Sequence, residues 1–267
     1  EFRRVLFRSL KSKGFKTSKS TIGAYLRIAK AALADGSDAE NSTSVCPDTH
    51  VILSEILPRM CESAREGKIG GKQPAQLEKL RKVAHLSGLR RRCEEAGLKD
   101  LVMRQTVGLL RYSNMLPVDV AFYQAGNMWK DHKKPDMAFV FFNRFVDVTD
   151  AIEEGEDDID ETEFLTTDIP SQGDIPKKHN YSEEARDNIR EWALDAGMSN
   201  DINNQLPHRK CSNCGAETYL ATLDCHKCQA KSPECIVTGW PVLKNNATAC
   251  PNCGKKACKD AWNTYVL

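Results

Sequence analysis

The chain has 267 residues, 28% of them charged and 40% apolar, with 38 basic side chains against 37 acidic ones. That balance excludes a general polyanion binder, whose basic stripe would show in the composition. No apolar run approaches the roughly 18 residues of a membrane span, and the length suits one or two domains with linkers.

The chain lacks an initiator Met, and Val5-Leu6-Phe7-Arg8-Ser9 resembles a translated sequencing-adapter tail. The expectation is a non-native scar at residues 1–9, on a fragment whose native protein continues upstream. Residues 10–152 then read as helices. Ile22, Tyr25, Leu26, Ala29 and Leu33 recur at helical spacing from near Ser20. Pro47 and Asp48 open a second helix, with Val51, Ile52, Ile56 and Met60 on one face, which Pro58 should kink or end. Pro74 opens a third, striped by Leu77, Leu80, Val83, Ala84 and Leu89 and stopped at Gly97. Asp100 to Tyr112 repeats the pattern through Leu101, Val102, Val107, Leu109 and Leu110. A helix from Pro117 carries Val120, Ala121, Tyr123, Ala125 and Met128. The next, Met137 to Ile152, should turn Phe141, Phe145, Val148 and Ile152 toward Tyr123 and Met128. Helices joined by short Pro or Gly turns predict a mostly α fold of stacked hairpins, as in an α-solenoid.

Between Asp147 and Asp168 stand 11 acidic residues and no Lys or Arg. This composition predicts a solvated, partly disordered linker, placed with its prolines at 153–181. A calcium site is the sharper alternative, but the Gly-centred EF-hand loop is missing. A linking helix and loop follow at 182–206. Ser182 caps the helix, Glu183 and Glu184 sit in its first turn, Ile189, Trp192 and Ala193 face inward, and Gly197 ends it.

Eight of the 11 cysteines fall in the last 57 residues, in a small α+β module set at 207–267. Clustering in CxxC pairs points to metal ligation and a reducing compartment rather than a disulfide framework. Cys211-Ser-Asn-Cys214 and Cys225-His-Lys-Cys228 are two such pairs, separated by ten residues. Each can turn both sulfurs toward one ion, and four thiolates suit tetrahedral Zn²⁺. Cys235, Cys250, Cys253 and Cys258 would form a second set, giving two structural zinc ions. An interleaved cross-brace, with Cys225 and Cys228 meeting Cys250 and Cys253, fits the spacing equally. His226 should be exposed rather than ligating. Knuckles saturated with sulfur leave no open position, so no catalytic residue is expected. The metal would instead staple a segment too short to build much core.

Several stretches carry a family resemblance: Leu116-Pro-Val-Asp-Val-Ala-Phe-Tyr-Gln-Ala-Gly126, Met137-Ala-Phe-Val-Phe-Phe-Asn-Arg-Phe-Val-Asp-Val-Thr-Asp-Ala-Ile-Glu-Glu-Gly155, Thr167-Asp-Ile-Pro170, Cys235-Ile-Val-Thr-Gly-Trp-Pro-Val-Leu243 and Lys259-Asp-Ala-Trp-Asn263. In order and separation they resemble the C-terminal region of the largest-subunit family of intraflagellar transport complex B, over roughly residues 75–267. The resemblance implies WD-repeat propellers upstream, a TPR-like solenoid here, and a terminal module similar to a U-box, a relative of the RING fold. It implies a non-enzymatic scaffold of cilium assembly, at the cilium or flagellum and its base with a cytoplasmic pool, bound to other transport subunits. The paired CxxC knuckles depart from the family's animal members.

An alternative is a ubiquitin ligase or ubiquitin-binding module that holds ubiquitin or a conjugating enzyme. Its candidate partner-binding residues are Ile236, Val237 and Trp240, unless these form the module's own core. A zinc-ribbon nucleic-acid binder is a third reading, resting on Arg90-Arg91-Arg92 with Lys255 and Lys256. Glu94, Glu95 and the acidic linker offset it, and no nucleic acid is expected.

Overall fold

A computed structural model describes residues 57–58, 61–62, 65–66, 72–157, 159, 164–170, 175–198, 202 and 205–266. The scar expected at 1–9 and the helix expected near Ser20 lie outside the described residues. So does most of the helix expected from Pro47, although the backbone is helical at Leu57–Pro58 and Cys61–Glu62.

Among the described residues from 72 on, the helices are α1 (Lys72–Glu95), α2 (Lys99–Leu109), α3 (Val118–Asp131), α4 (Pro135–Glu154), α5 (Glu183–Met198) and α6 (Lys259–Val266). The strands are β1 (His208–Lys210), β2 (Glu217–Tyr219), β3 (Ala247–Ala249) and β4 (Lys256–Cys258). A 3₁₀ turn, Leu110–Tyr112, prolongs α2. The fold is therefore mostly helical with few strands. The chain divides into two compact units, one ending at Gly88 and the other running from Leu89 to Leu267.

In the first unit the expected stripe of Leu77, Leu80, Val83 and Ala84 is buried. Glu78 beside it is held at about pKa 2, chiefly by a hydrogen bond from Arg81 against the cost of burial. A carboxylate with a depressed folded-state pKa stabilises fully above its ordinary value of 4.5, and that contribution fades as pH falls toward 2. Glu78→Gln should flatten the melting temperature over that window relative to wild type. An unchanged acid slope would contradict the assignment.

In the second unit α3 and α4 form a helical hairpin, with Pro135 in the first turn of α4 as its fixed φ favours. The core is aromatic. Phe122, Phe141, Phe142, Phe145 and Val148 are buried together with Phe164. Tyr123 meets Phe145 as expected, ring centroids 5.3 Å apart, and stacks on Tyr181 at 4.0 Å. Met128 does not join them. It packs against a second cluster with Leu98, Ile236, Trp262 and Tyr265. The helices approach closely at Gly126, where a Cβ would lie 2.4 Å from the Phe142 ring. Gly126→Ala should therefore cost about 1–3 kcal/mol through overpacking, measured by urea denaturation. A neutral result would mean that the hairpin separates easily.

Residues 153–157 of the 153–181 segment are exposed, as a solvated linker would be, but parts of its later described stretch pack. Phe164 and Ile169 are buried, the Arg144 guanidinium lies 5.5 Å over the Phe164 ring, and Asn180 donates two hydrogen bonds from its side chain and one from its backbone to buried Asp119. Two acids of the run, Asp150 and Glu153, are paired with cations of a later helix. Arg190 of α5 reaches Asp150 at 2.5 Å and Glu153 at 3.1 Å, and Arg186 also pairs with Glu153. Composition could not show this, because the cations come from a later helix.

The tail consists of two antiparallel ribbons. β1 pairs with β2 (His208↔Tyr219, Lys210↔Glu217), and β3 pairs with β4 (Ala247↔Cys258, Ala249↔Lys256). Tyr219 and Ala221 enter the aromatic core. Val237, Val242, Ala257 and Ala261 share the second cluster with Cys93, Leu101 and Val102.

Candidate metal centre

Strand β1 delivers the chain to Cys211, and β2 takes it away after a tight turn. In that turn the Cys211 N–H donates to Ala216 O (2.8 Å) and the Gly215 N–H to Cys211 O (2.9 Å). The next turn repeats the pattern: Cys225 N–H donates to Ala230 O (3.0 Å) and Gln229 N–H to Cys225 O (2.9 Å). A bridge between Asp224 and Lys231 closes its base. The two turns face each other, and the sulfurs of Cys211, Cys214, Cys225 and Cys228 all lie within 4.8 Å of one another.

The Sγ–Sγ separations are 3.8 Å for Cys211–Cys228 and 3.8 Å for Cys214–Cys225. A tetrahedron with metal–sulfur bonds of about 2.3 Å has edges of about 3.8 Å. The four sulfurs could hold a metal ion.

Local donors prepare some of these sulfurs for ionisation. The Asn213 side-chain N–H (3.5 Å) and then the Ala230 backbone N–H bring the Cys228 thiol down to about 6. Backbone N–H groups of Asn213 and Cys214 lower Cys211. At Cys214 the Ala216 N–H also lowers the pKa, but the neighbouring sulfurs, Cys228 first, outweigh it and leave that thiol at about 11. Four thiolates this close repel one another, and a divalent cation removes the conflict. His226, between two of the sulfurs in sequence, is exposed.

The second set expected from the sequence is not brought together. Cys235 and Cys258 are buried in the second cluster, where Cys258 N–H donates to Cys235 Sγ (3.2 Å) and Cys258 Sγ to Pro241 O (3.6 Å). Cys250 and Cys253 lie in the turn between β3 and β4, half-buried and exposed respectively. Among the described residues no other group of three or more Cys, His, Asp or Glu ligands is as close as the first four. The physical reason is partition. Two of the expected ligands are drawn into an apolar core, and the other two stand at a solvent-facing tip. The cross-brace is not formed either, since Cys225 and Cys228 face Cys211 and Cys214.

Ile236, Val237 and Trp240 are engaged by the protein itself. Val237 is buried and Ile236 packs beside it, while Trp240 donates its indole N–H to Arg104 O at 2.8 Å. In the basic cluster, Arg90 donates to Gln124 (2.8 Å) and Arg91 pairs with Glu95 (3.1 Å).

The sequence reading missed the polar clamp that seats the tail. Arg111 donates to Asp168 (2.5 Å), Gly239 O (2.9 Å) and Ala221 O (2.8 Å). Asp168 also accepts from Leu223 N–H (2.9 Å), and Tyr112 donates to Glu234 (2.8 Å). Fully buried Gln105 donates to Val237 O (2.9 Å). An Arg-Tyr pair closing an apolar helix was the available signal.

No family model matches the chain. It is 32% identical over 223 residues to intraflagellar transport protein 172 of Chlamydomonas reinhardtii, covering 80% of this chain and 13% of that protein. To the homolog from Homo sapiens it is 34% identical over 218 residues, 80% of this chain and 12% of that protein. To intraflagellar transport protein osm-1 of Caenorhabditis elegans it is 29% identical over 169 residues, 60% of this chain and 9% of that protein. The chain thus spans about an eighth of the first two relatives' length. With a third of positions identical across four-fifths of its residues, the chain belongs to the intraflagellar transport protein 172 family.

Proposed function

We propose that this chain is the C-terminal part of an intraflagellar transport subunit and acts as a non-enzymatic scaffold, supporting cilium assembly through protein–protein contacts. The observation that carries the reading is its identity of 32–34% to proteins named for intraflagellar transport, over 80% of its length. Its partners are other subunits of the transport machinery, and its location is the cilium or flagellum and its base, with a cytoplasmic pool. The helices belong to a TPR-like solenoid, and the tail is a module stapled by one structural zinc at Cys211, Cys214, Cys225 and Cys228. The sulfur spacing and all-cysteine donor set support zinc in a closed site, whose role is to hold the fold. One ion replaces the two that cysteine counting suggested, because the structure gathers four sulfurs and not eight.

The test is capture from ciliated cells with the tagged chain, read by mass spectrometry. Enrichment of intraflagellar transport subunits over a scrambled-tail control is expected. Recovery of none, with the bait folded and zinc-loaded, would contradict the scaffold role.

A further inference from the structure

The tail contains four turns of one design. At Cys211, Cys225, Cys235 and Cys250 the cysteine N–H donates to the carbonyl five residues on, and the N–H four residues on returns to the cysteine carbonyl, at 2.8–3.0 Å throughout. The fifth residue of each turn has positive φ: Gly215 +72°, Gln229 +56°, Gly239 +75° and Gly254 +68°. The first two turns face each other and supply four sulfurs to one centre.

The third and fourth do not gather their sulfurs into such a group. The third has Thr238 where its counterparts have their second cysteine, and it is docked on α2. Its Val237 and Gly239 carbonyls accept from Gln105 and Arg111. Thr238 O lies only 2.5 Å from where a Cβ on Gly108 would stand, so the glycine is what lets the turn seat there. The third turn has become a docking element, and its Cys235 sulfur is buried.

The fourth turn keeps both cysteines and the ligand-turn backbone, and Pro251 to Lys256 around its tip are all exposed. We propose that Cys250 and Cys253 are a half-site for a thiophilic divalent cation, completed by the same turn of a second copy of this chain, so that one zinc ion bridges two copies. Two identical turns related by a two-fold axis would supply four thiolates, as the first and second turns do within one chain. The zinc tetrathiolate would carry a charge of −2, and the exposed Lys255 and Lys256 of each copy stand beside it to offset that charge. The third turn cannot take this role within the chain, being one ligand short and held by α2.

The experiment is zinc titration of the full chain under a non-thiol reductant, followed by sedimentation velocity and elemental analysis, with Cys250→Ser/Cys253→Ser as the comparison. Wild type is expected to pass from monomer to dimer on zinc addition, reaching about 1.5 zinc per chain, and to revert with chelator. The double variant, changed only at an exposed tip, should stay monomeric with one zinc and an unchanged circular dichroism spectrum. A monomer holding two zinc ions, a monomer saturating at one, or a dimer that persists in the double variant would each overturn the proposal. A zinc-dependent dimer with only half a zinc per chain would keep the bridge and refute the intramolecular centre, so the two assignments fail separately.

Discussion

Replacing Cys225 by serine is expected to abolish metal binding at the four-sulfur centre and to unfold the first ribbon, residues 208–231, while α3 and α4 stay helical. The ribbon has two three-residue strands and too little apolar surface to fold alone, so metal binding and folding should be one event. In small zinc domains that coupling is worth about 10–16 kcal/mol. The hairpin survives because its buried phenylalanines pack against one another. It should nonetheless melt earlier, since Tyr219 and Ala221 leave its core. Limited proteolysis should cut within 208–231 in the variant and in chelated wild type, with most far-ultraviolet helical signal kept. Collapse of the helical signal would show that the helices depend on the tail. An uncut ribbon would show that the metal is dispensable. Acidification should mimic the variant, because all four ligands must be deprotonated to bind.

Arg111→Ala is expected to destabilise the second unit by about 3–5 kcal/mol. The change removes the cation from Asp168 and leaves the Gly239 and Ala221 carbonyls without this donor. The cost is large because the carboxylates left behind are largely buried, with side-chain exposures of 18% for Asp168 and 15% for Glu234. Arg111→Lys should recover little, since a single ammonium cannot replace a fork that reaches three acceptors. Urea denaturation monitored by tryptophan fluorescence would measure both variants. A loss below about 1 kcal/mol, the value of an exposed pair, would contradict the clamp.

These two positions differ in how legible they were. The first centre could be read from spacing, because CxxC turns are local: six residues determine where both sulfurs point, and ten intervening residues return the chain. The helices were legible for the same reason, their apolar residues recurring at three and four. Cys235 and Cys258 misled because a cysteine is both a ligand and a small apolar side chain, and only the core they share with Val237 and Ala257 decides between the two. Arg111, Asp168 and Glu234 were invisible as a set, since the clamp joins residues 57 and 123 positions apart. Phe164 and Ile169 were hidden by the acids around them. Trp240, named as a partner residue, was claimed by a carbonyl of α2.

The four-sulfur centre is tested most directly by zinc-edge X-ray absorption with elemental analysis on the full chain carrying Cys250→Ser/Cys253→Ser, which isolates it from the exposed turn. One zinc per chain is expected, with four sulfur neighbours at about 2.3 Å. A metal-free chain whose first ribbon still resists proteolysis, or a zinc shell containing nitrogen or oxygen, would contradict it.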